Sequence, residues 1–352
     1  MDRNDTSTIH IAFITDNNFV IPTSVAISSI IESKEPATRL CIHVVCASLS
    51  DENEAVFHSF ASDTVEIDII LQDADRFFAL HKVVHCNASR AALLKFVLPE
   101  LLPDCDRVLY LDGDILVKGD LTELYNVELA DNYAACVLNS FTFFRAHYTY
   151  EDKVGRYFNS GVMVLNLRLM REDAVTDRLI AAKQTAQRHV LMDQIAFNYV
   201  FDKRISVLPV RYNFQILCLP GVKGDREVQV LNEHFGTQYR DLADLLADAV
   251  VVHFASRAKP WKNPTALYSE EWYETYQRSP VSGQLPPLSQ IYRSALEAEL
   301  NKIRGSWSYR IGRAITWLPR TIQSGIRCYK NRGFRYAWNR LLVRLHLKHM
   351  EM

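Results

Sequence analysis

Two carboxylates flanking one glycine, Asp112-Gly113-Asp114, form an acidic island in an apolar run, Arg107-Val-Leu-Tyr-Leu-Asp-Gly-Asp-Ile-Leu-Val117. Carboxylates at the end of a buried strand cost free energy unless a cation or hydrogen-bond donors compensate them. A divalent metal is the natural compensator. A tight turn with solvated acids is the alternative for a bare Asp-x-Asp, and the apolar frame on both sides favours the metal. Asp16 occupies a similar place after the apolar run Ile9 to Thr15, and His253 follows Val250-Val-Val252. A lone histidine after a strand is ordinarily structural.

The elements that must position these groups alternate in type. Ile9 to Thr15, Leu40 to Cys46 and Val65 to Leu71 read as buried strands. Between them lie a helix with Pro22 in its first turn and a helix through Phe60 with Ser50 as N-cap and Asp51 and Glu52 in its acidic first turn. Ser89 to Val97 reads as a helix stopped by Pro99, and Arg107 to Leu111 as the next buried strand. Further on, Gly161 to Leu167 is strand-like, Leu169 to Gln187 and Met192 to Phe201 are helical, and Val250 to Phe254 is a strand. The alternation predicts an α/β fold, an open sheet with helices on its faces. In a parallel sheet ligands bind outside the carboxyl ends of the strands, where Asp16 and the acidic pair both fall.

With 352 residues and 48% hydrophobic content, the chain can bury one large or two modest cores, which excludes a disordered or fibrous protein. The formal net charge of −1 argues against a nucleic-acid or membrane-surface protein, but its distribution does not. Ile291 to Met352 holds 13 Lys/Arg against 3 Asp/Glu, leaving 27 against 38 in the first 290 residues. An acidic body carries a basic tail. The seven cysteines are scattered, form no CxxC pair and read as reduced core thiols of the cytoplasm. The acidic, polar start lacks the pattern of a signal peptide, and no apolar run approaches the ~20 residues of a membrane span. These features predict a soluble or peripheral intracellular protein with no internal repeats.

Five ordered blocks between Ile9 and Trp261 make a more specific likeness. They are Phe13-Ile-Thr-Asp-Asn-Asn18, Val108-Leu-Tyr-Leu-Asp-Gly-Asp114, Tyr157-Phe-Asn-Ser-Gly-Val162, Leu191-Met-Asp-Gln194 and His253-Phe-Ala-Ser-Arg-Ala-Lys-Pro-Trp261. The chain resembles glycosyltransferases of family eight, retaining nucleotide-sugar enzymes of the GT-A fold, especially bacterial lipopolysaccharide galactosyl- and glucosyltransferases. The resemblance implies a Rossmann-like open mixed sheet flanked by helices, followed by a helical basic tail. It implies transfer of galactose or glucose from a UDP-hexose donor to an oligosaccharide or lipid-linked glycan acceptor such as a lipopolysaccharide core. Breaking the bond between sugar and UDP builds negative charge on the diphosphate, which a bridging metal stabilises as a Lewis acid. By resemblance Asp112, Asp114 and His253 are its ligands. Two carboxylates and an imidazole suit octahedral Mn²⁺ or Mg²⁺, and the imidazole tilts the choice toward manganese.

The resemblance also assigns donor contacts. Lys259 meets the diphosphate as a point charge; Asp16 and Asn18 meet uracil and ribose, and Thr15 approaches the base through its backbone. Gly113 and Ser256 belong to the donor-binding blocks. His85 matches a donor-side histidine, with a packed or capping imidazole as the alternative. Asn159, Asp193 and Gln194 line the transferred sugar: Asp193 holds its hydroxyls and Gln194 faces the anomeric carbon. An amide is a poor nucleophile, so the reading favours same-face substitution in which the departing phosphate helps deprotonate the acceptor, over a covalent adduct.

Two positions depart from the family pattern. Ala91-Ala92-Leu93-Leu94-Lys95 places Leu93 where an Arg is usual, a contact that Arg90 or Lys95 could replace. Ser256 stands where Gly is preferred, and Gly permits closer backbone approach to phosphate. They leave open a second class of function, a catalytically impaired nucleotide-sugar or glycan-binding module. Acceptor recognition is expected from 141–152 and 211–221.

The resulting organisation is a catalytic domain at 1–276, a linker at 277–290 and a basic aromatic tail at 291–352. Nucleotide-sugar binding falls mainly in 9–118, with the sugar and acceptor part mainly in 119–276. The tail interleaves Trp307, Tyr309, Trp317, Tyr329, Phe334, Tyr336 and Trp338 with Arg and Lys. Such segments attach to anionic membranes or grip nucleic acid, with a solvated helix hairpin as the structural alternative. The resemblance favours an anionic surface at the inner face of the bacterial plasma membrane and no nucleic-acid partner.

Overall fold

The computed structural model describes residues 8–73, 90–139, 157–185, 193–215, 225–255, 259–262 and 266–305. The chain divides into two compact units, 1–287 and 288–352.

In the first unit, β1 (Thr8–Ile14) pairs in parallel with β2 (Arg39–Cys46), which pairs in parallel with β3 (Val65–Leu71). On the other side of β1 lies β4 (Arg107–Leu111), also parallel, with Ile11 opposite Leu109. The chain thus winds outward from β1 and then returns to its opposite flank. That reversal opens the crevice at the carboxyl ends of β1 and β4.

Beyond β4 come a short β5 (Ile115–Val117), β6 (Ala134–Leu138), β7 (Phe158–Asn166) and β8 (Ile205–Val207). The mixed seven-stranded sheet runs β3-β2-β1-β4-β7-β6-β8, with β7 antiparallel to both β4 and β6. A second sheet joins β5 to β10 (Val251–His253) and β9 (Phe214–Gln215).

The helix Val20–Ser33 lies against β5 and is rich in small residues, among them the fully buried Thr23 and Ser24. Ser29 Oγ accepts from Val117 N at 3.0 Å, so the small side chain both permits close packing and satisfies a backbone donor. Pro22 falls in its first turn, and the Ser50 side chain caps Asp51–His58 by accepting from Asn53 N at 3.3 Å, both as the sequence predicts.

Two helices differ from expectation. Pro99 does not stop the segment before it: a 3₁₀ helix at Arg90–Val97 runs into Leu98–Leu101, with Pro99 in the first turn of the new piece, where its missing N–H costs nothing. The expected helix from Leu169 breaks into Leu167–Glu172 and Val175–Thr185 at Ala174, which has φ +47°. Asp173, beside the break, accepts from Tyr133 Oη at 2.7 Å and Arg204 Nη1 at 2.6 Å, contacts with distant elements that local helical pattern does not show.

One core layer bears directly on the site. Phe96, Phe197 and Phe201 pack edge-on with centroids 5.2 Å apart, clamping the helix Gln194–Phe201 under β7. Asn198 then locks the register by accepting from Phe158 N at 2.7 Å and donating to Phe158 O at 2.9 Å. These contacts bring Asp193 and Gln194, at the helix start, against Asn159 and Ser160.

In the second unit, Leu288–Gly305 is helical, and its Leu296, Leu300 and Ile303 are exposed at a spacing that places them on one face. Among the described residues, no helix is long and apolar enough to cross a membrane.

Candidate active site

Strand pairing brings the acidic pair and the distant histidine together. β10 runs antiparallel to β5 with His253 opposite Ile115, and Phe254 N donates to Asp114 O at 2.9 Å. His253 Nε2 lies 3.7 Å from Asp112 Oδ2 and 3.4 Å from Asp114 Oδ1. One ligand atom from each of the three residues falls within 4.8 Å of the other two. Two hard oxygens and an imidazole nitrogen around one point fit a divalent cation such as Mn²⁺ or Mg²⁺.

The space is kept open by a glycine. A Cβ on Gly161 would strike His253 Cε1 and lie 2.7 Å from Asp112 Oδ2. Gly161→Ala therefore fills the cradle: Mn²⁺ affinity, read by electron paramagnetic resonance titration, is expected to fall more than tenfold while overpacking costs about 1–3 kcal/mol of stability. Unchanged Mn²⁺ affinity would show that the cradle is not the cation site.

Two lysines face these carboxylates. Lys259 Nζ pairs with Asp114 Oδ2 and donates to Phe254 O. Trp261, two residues on, packs against Trp272 and Phe19 and holds this segment in place. Lys95, only 4% exposed, reaches Asp112 Oδ1 at 3.0 Å, Asp193 Oδ2 at 2.6 Å and Ser160 O at 3.4 Å. Its three N–H donors thus meet three oxygens.

At Asp114, Asp193 and Lys95 burial acts against charge, and pairing overrides it. Burial alone would raise the Asp114 carboxyl, but His253 and Lys259 hold it well below the usual carboxylate range. Asp193 is likewise lowered against its burial by Lys95 and Ser160, and Lys95 is raised against its burial by Asp112 and Asp193. Burial and the Asp112 charge push the Tyr110 hydroxyl well up, so it stays protonated and donates to Asp112 Oδ1 at 2.6 Å.

Lys95, Tyr110, Asp112, Asp114 and Asp193 line a cleft of about 310 Å³. Ile14, Thr15, Asp16 and Phe19 form one wall, Ala91, Ala92 and Lys95 another, and Tyr110, Asp112, Gly113, Asp114 and Asp193 the rest. The profile of glycosyl transferase family 8 matches residues 10–265, a span that contains every one of them. The chain belongs to glycosyl transferase family 8.

Relatives within this family agree along most of their length. The chain is 27% identical over 283 residues to a lipopolysaccharide 1,2-glucosyltransferase of Escherichia coli, covering 78% of this chain and 79% of that one. It is 25% identical over 291 residues to a lipopolysaccharide 1,3-galactosyltransferase of Salmonella typhimurium, covering 80% and 81%. Among solved structures, the galactosyltransferase LgtC in complex with donor and acceptor sugar analogues superposes with a TM-score of 0.61 at 25% identity, covering 77% of this chain and 96% of LgtC. The bifunctional glycosyltransferase WbbM shares the fold, with a TM-score of 0.66 at 22% identity over 83% of this chain and 52% of WbbM. The mixed sheet with flanking helices is the GT-A fold that the sequence led us to expect.

The loop after β1 is set by an Asx turn. Asp16 Oδ1 accepts from Asn18 N at 2.9 Å, and Asp16 O from Phe19 N at 2.9 Å. Thr15 is buried, its N donating to Val45 O at 3.0 Å and its hydroxyl 3.1 Å from that of Thr23, while Asn18 is exposed. A Cβ on Gly113 would meet the same Thr23 hydroxyl at 2.5 Å, which accounts for glycine between the two acids. His85, Ser256 and 141–152 lie outside the described residues.

Leu93 is 1% exposed and belongs to the core. Lys95, one of the two cations expected to take the place of an arginine at Leu93, lines the cleft two residues on. A 3₁₀ helix repeats every three residues, so Ala92 and Lys95 share the cleft face while Leu93 and Phe96 share the core face.

Asn213 and Ser160 also emerge only in three dimensions. Asn213 Nδ2 donates to Asn159 Oδ1 at 2.9 Å, which turns Asn213 Oδ1 toward His253 Nδ1 at 3.0 Å. The Nδ1–H of His253 therefore donates to Asn213, so Nε2 is the nitrogen turned toward Asp112 and Asp114 and the one that would ligate a metal. The chain continues as Asn159 Nδ2 donates to Gln194 Oε1 at 3.1 Å; Ser160 N donates to the same oxygen at 3.3 Å. Gln194 is thus tethered to Asn159 and Ser160, and Asp193 lines the cleft and accepts from Ser160 Oγ at 2.9 Å. Asn213→Ala frees the imidazole to change tautomer, and Mn²⁺ affinity is expected to drop about 10–100-fold in the same titration.

Proposed function

We propose that this family 8 chain is a metal-assisted, retaining hexosyltransferase. It moves glucose or galactose from a UDP-sugar to a glycan acceptor of the lipopolysaccharide-core kind. The observation that carries this reading is the convergence of Asp112, Asp114, His253 and Lys259 at a cleft that also presents Asp193 and Lys95. The named activities of the Escherichia coli and Salmonella typhimurium relatives support the hexose and acceptor classes.

A bound Mn²⁺ or Mg²⁺ supplies Lewis-acid stabilisation of the charge that builds on the departing diphosphate. Asp112, Asp114 and His253 hold that cation, and Lys259 adds a positive charge against the diphosphate. Asp16, Asn18, Thr15 and Gly113 bind the nucleoside end, with His85 and Ser256 as further donor contacts. Asp193 orients sugar hydroxyls. With Oδ2 already bonded to Lys95 and Ser160, it is a weak nucleophile, and the Gln194 amide is weaker. Same-face substitution, with Gln194 and backbone groups stabilising the cationic sugar, follows. The basic aromatic tail at 291–352, beyond a linker at 277–290, brings the enzyme to an anionic membrane surface, where lipid-linked acceptors reside.

The deciding experiment measures hydrolysis of UDP-glucose and UDP-galactose with and without Mn²⁺, then determines the linkage formed on lipopolysaccharide acceptors. Metal-dependent turnover of one donor is expected. Metal-dependent UDP binding without turnover of either would establish the binding-module reading instead, and a glycosyl adduct on Asp193 in mass spectrometry would overturn same-face substitution.

A further inference from the structure

A second cluster of metal-ligating side chains lies in the core, apart from the cleft. His10 on β1 stands in register with Cys41 on β2, and His43 follows two residues later on the same face of β2. All three are buried, His43 completely, and one ligand atom of each falls within 4.8 Å of the other two. His10 Nδ1 and His43 Nε2 face one another at 3.1 Å, and Cys105 Sγ, from the turn before β4, lies 3.5 Å from His10 Nδ1. Neither Cys41 nor Cys105 is in a disulfide.

We propose that His10, Cys41 and His43 form the core of a structural zinc site, with Cys105, beside His10 Nδ1, moving in as the fourth ligand when the ion binds. Tetrahedral zinc, with Zn–N about 2.0–2.1 Å and Zn–S about 2.3 Å, sets adjacent nitrogens about 3.3 Å apart and nitrogen to sulfur about 3.5 Å apart. The His10–His43 and His10–Cys105 separations are close to these values. Two imidazoles and two thiols are the donor set that selects zinc over the hard cations suited to the oxygen-rich cleft.

The tautomers fit as well. His43 Nδ1 is 2.9 Å from Asp68 Oδ2, across the register pair of β2 and β3. Donation of the Nδ1 proton to that carboxylate leaves the Nε2 lone pair for a metal, the carboxylate–histidine–zinc arrangement of known zinc proteins. Binding releases the two thiol protons to solvent, and the resulting thiolates neutralise the dication so that no net charge is buried by the four ligands and the ion. Bound there, zinc ties β1, β2 and the turn before β4 into one unit about 13 Å from Asp112, four residues along the strand.

The test uses the full chain, purified without added metal and dialysed against EDTA to clear the open cleft, with zinc measured by inductively coupled plasma mass spectrometry. About one zinc per chain is expected to survive dialysis, and Cys41→Ser and His43→Ala are each expected to lower it at least tenfold. Because core variants can misfold, the wild-type chain grown with Co²⁺ provides a second readout: a thiolate-to-cobalt charge-transfer band. Zinc below about a tenth of an equivalent together with no such band would overturn the site, as would full zinc retention in Cys41→Ser. In that event the histidines and Asp68 form only a hydrogen-bonded relay.

Discussion

Asp114→Asn is expected to lower kcat/KM for the UDP-hexose donor about a thousandfold, equivalent to ~4 kcal/mol of transition-state stabilisation. Asp114 makes two contacts that the substitution weakens together: it faces His253 Nε2 at 3.4 Å, and it pairs with Lys259. An amide of the same shape keeps the packing but removes the charge that would hold a divalent cation and fix the lysine. Because pairing holds this carboxyl well below its ordinary range, it is ionised throughout the neutral region, and Asn mimics no state the native group visits there. Steady-state kinetics with excess Mn²⁺ and a parallel Mn²⁺ titration provide the check. Less than a tenfold loss in both would remove Asp114 from the ligand set.

Lys95→Met is expected to destabilise the metal-free chain by about 3–5 kcal/mol, the usual cost of stranding buried charge when one partner is removed. The methionine fills the side-chain space but leaves Asp112 and Asp193 without their ammonium, their side chains only 28% and 16% exposed. Turnover is expected to fall about a hundredfold, mainly in kcat, because Asp193 loses the contact that orients it. Lys95→Arg keeps the charge and recovers most of the stability, although a planar fork cannot reproduce the three-way contact. Urea denaturation of the three proteins without metal is the readout, and equal stabilities would show that the bridge contributes nothing.

The direction of the associated pH dependence follows from these pairs. The folded chain lowers Asp193, so that contribution is complete above the ordinary carboxylate range near ~3.9 and is lost as pH falls below it. Lys95 is raised, so its contribution is complete below its ordinary value of ~10.4 and is lost only as pH climbs past it. Both are intact at neutral pH.

Much of the fold was legible because local signals agreed with the tertiary environment. The strands at Thr8–Ile14, Arg39–Cys46 and Arg107–Leu111 are short and apolar because both faces are covered, and that pattern is visible without coordinates. The break at Ala174 and the passage through Pro99 were not, since each depends on contacts made by residues far away in the chain. The choice between Arg90 and Lys95 as the cation near Leu93 stays open in the sequence for a related reason. An α-helical and a 3₁₀ reading of Ala91 to Lys95 send different residues to the cleft, and only packing against Phe96 and Leu94 selects between them.

The sequence by itself determined the acidic body and basic tail, the alternation of strands and helices in the first half, and the residue types of a family 8 site in five ordered blocks. Only the tertiary structure decided which atoms meet. Lys259 and Asp114 are separated by 145 positions and join because β10 pairs with β5. Asn213 carries no motif, yet it sets the tautomer of His253. His10, Cys41 and His43 show no metal-binding spacing along the chain and converge through the register of two parallel strands. The physical reason is common to all three: hydrogen-bond and coordination geometry depends on distances of a few ångströms, which sheet pairing sets and sequence separation does not.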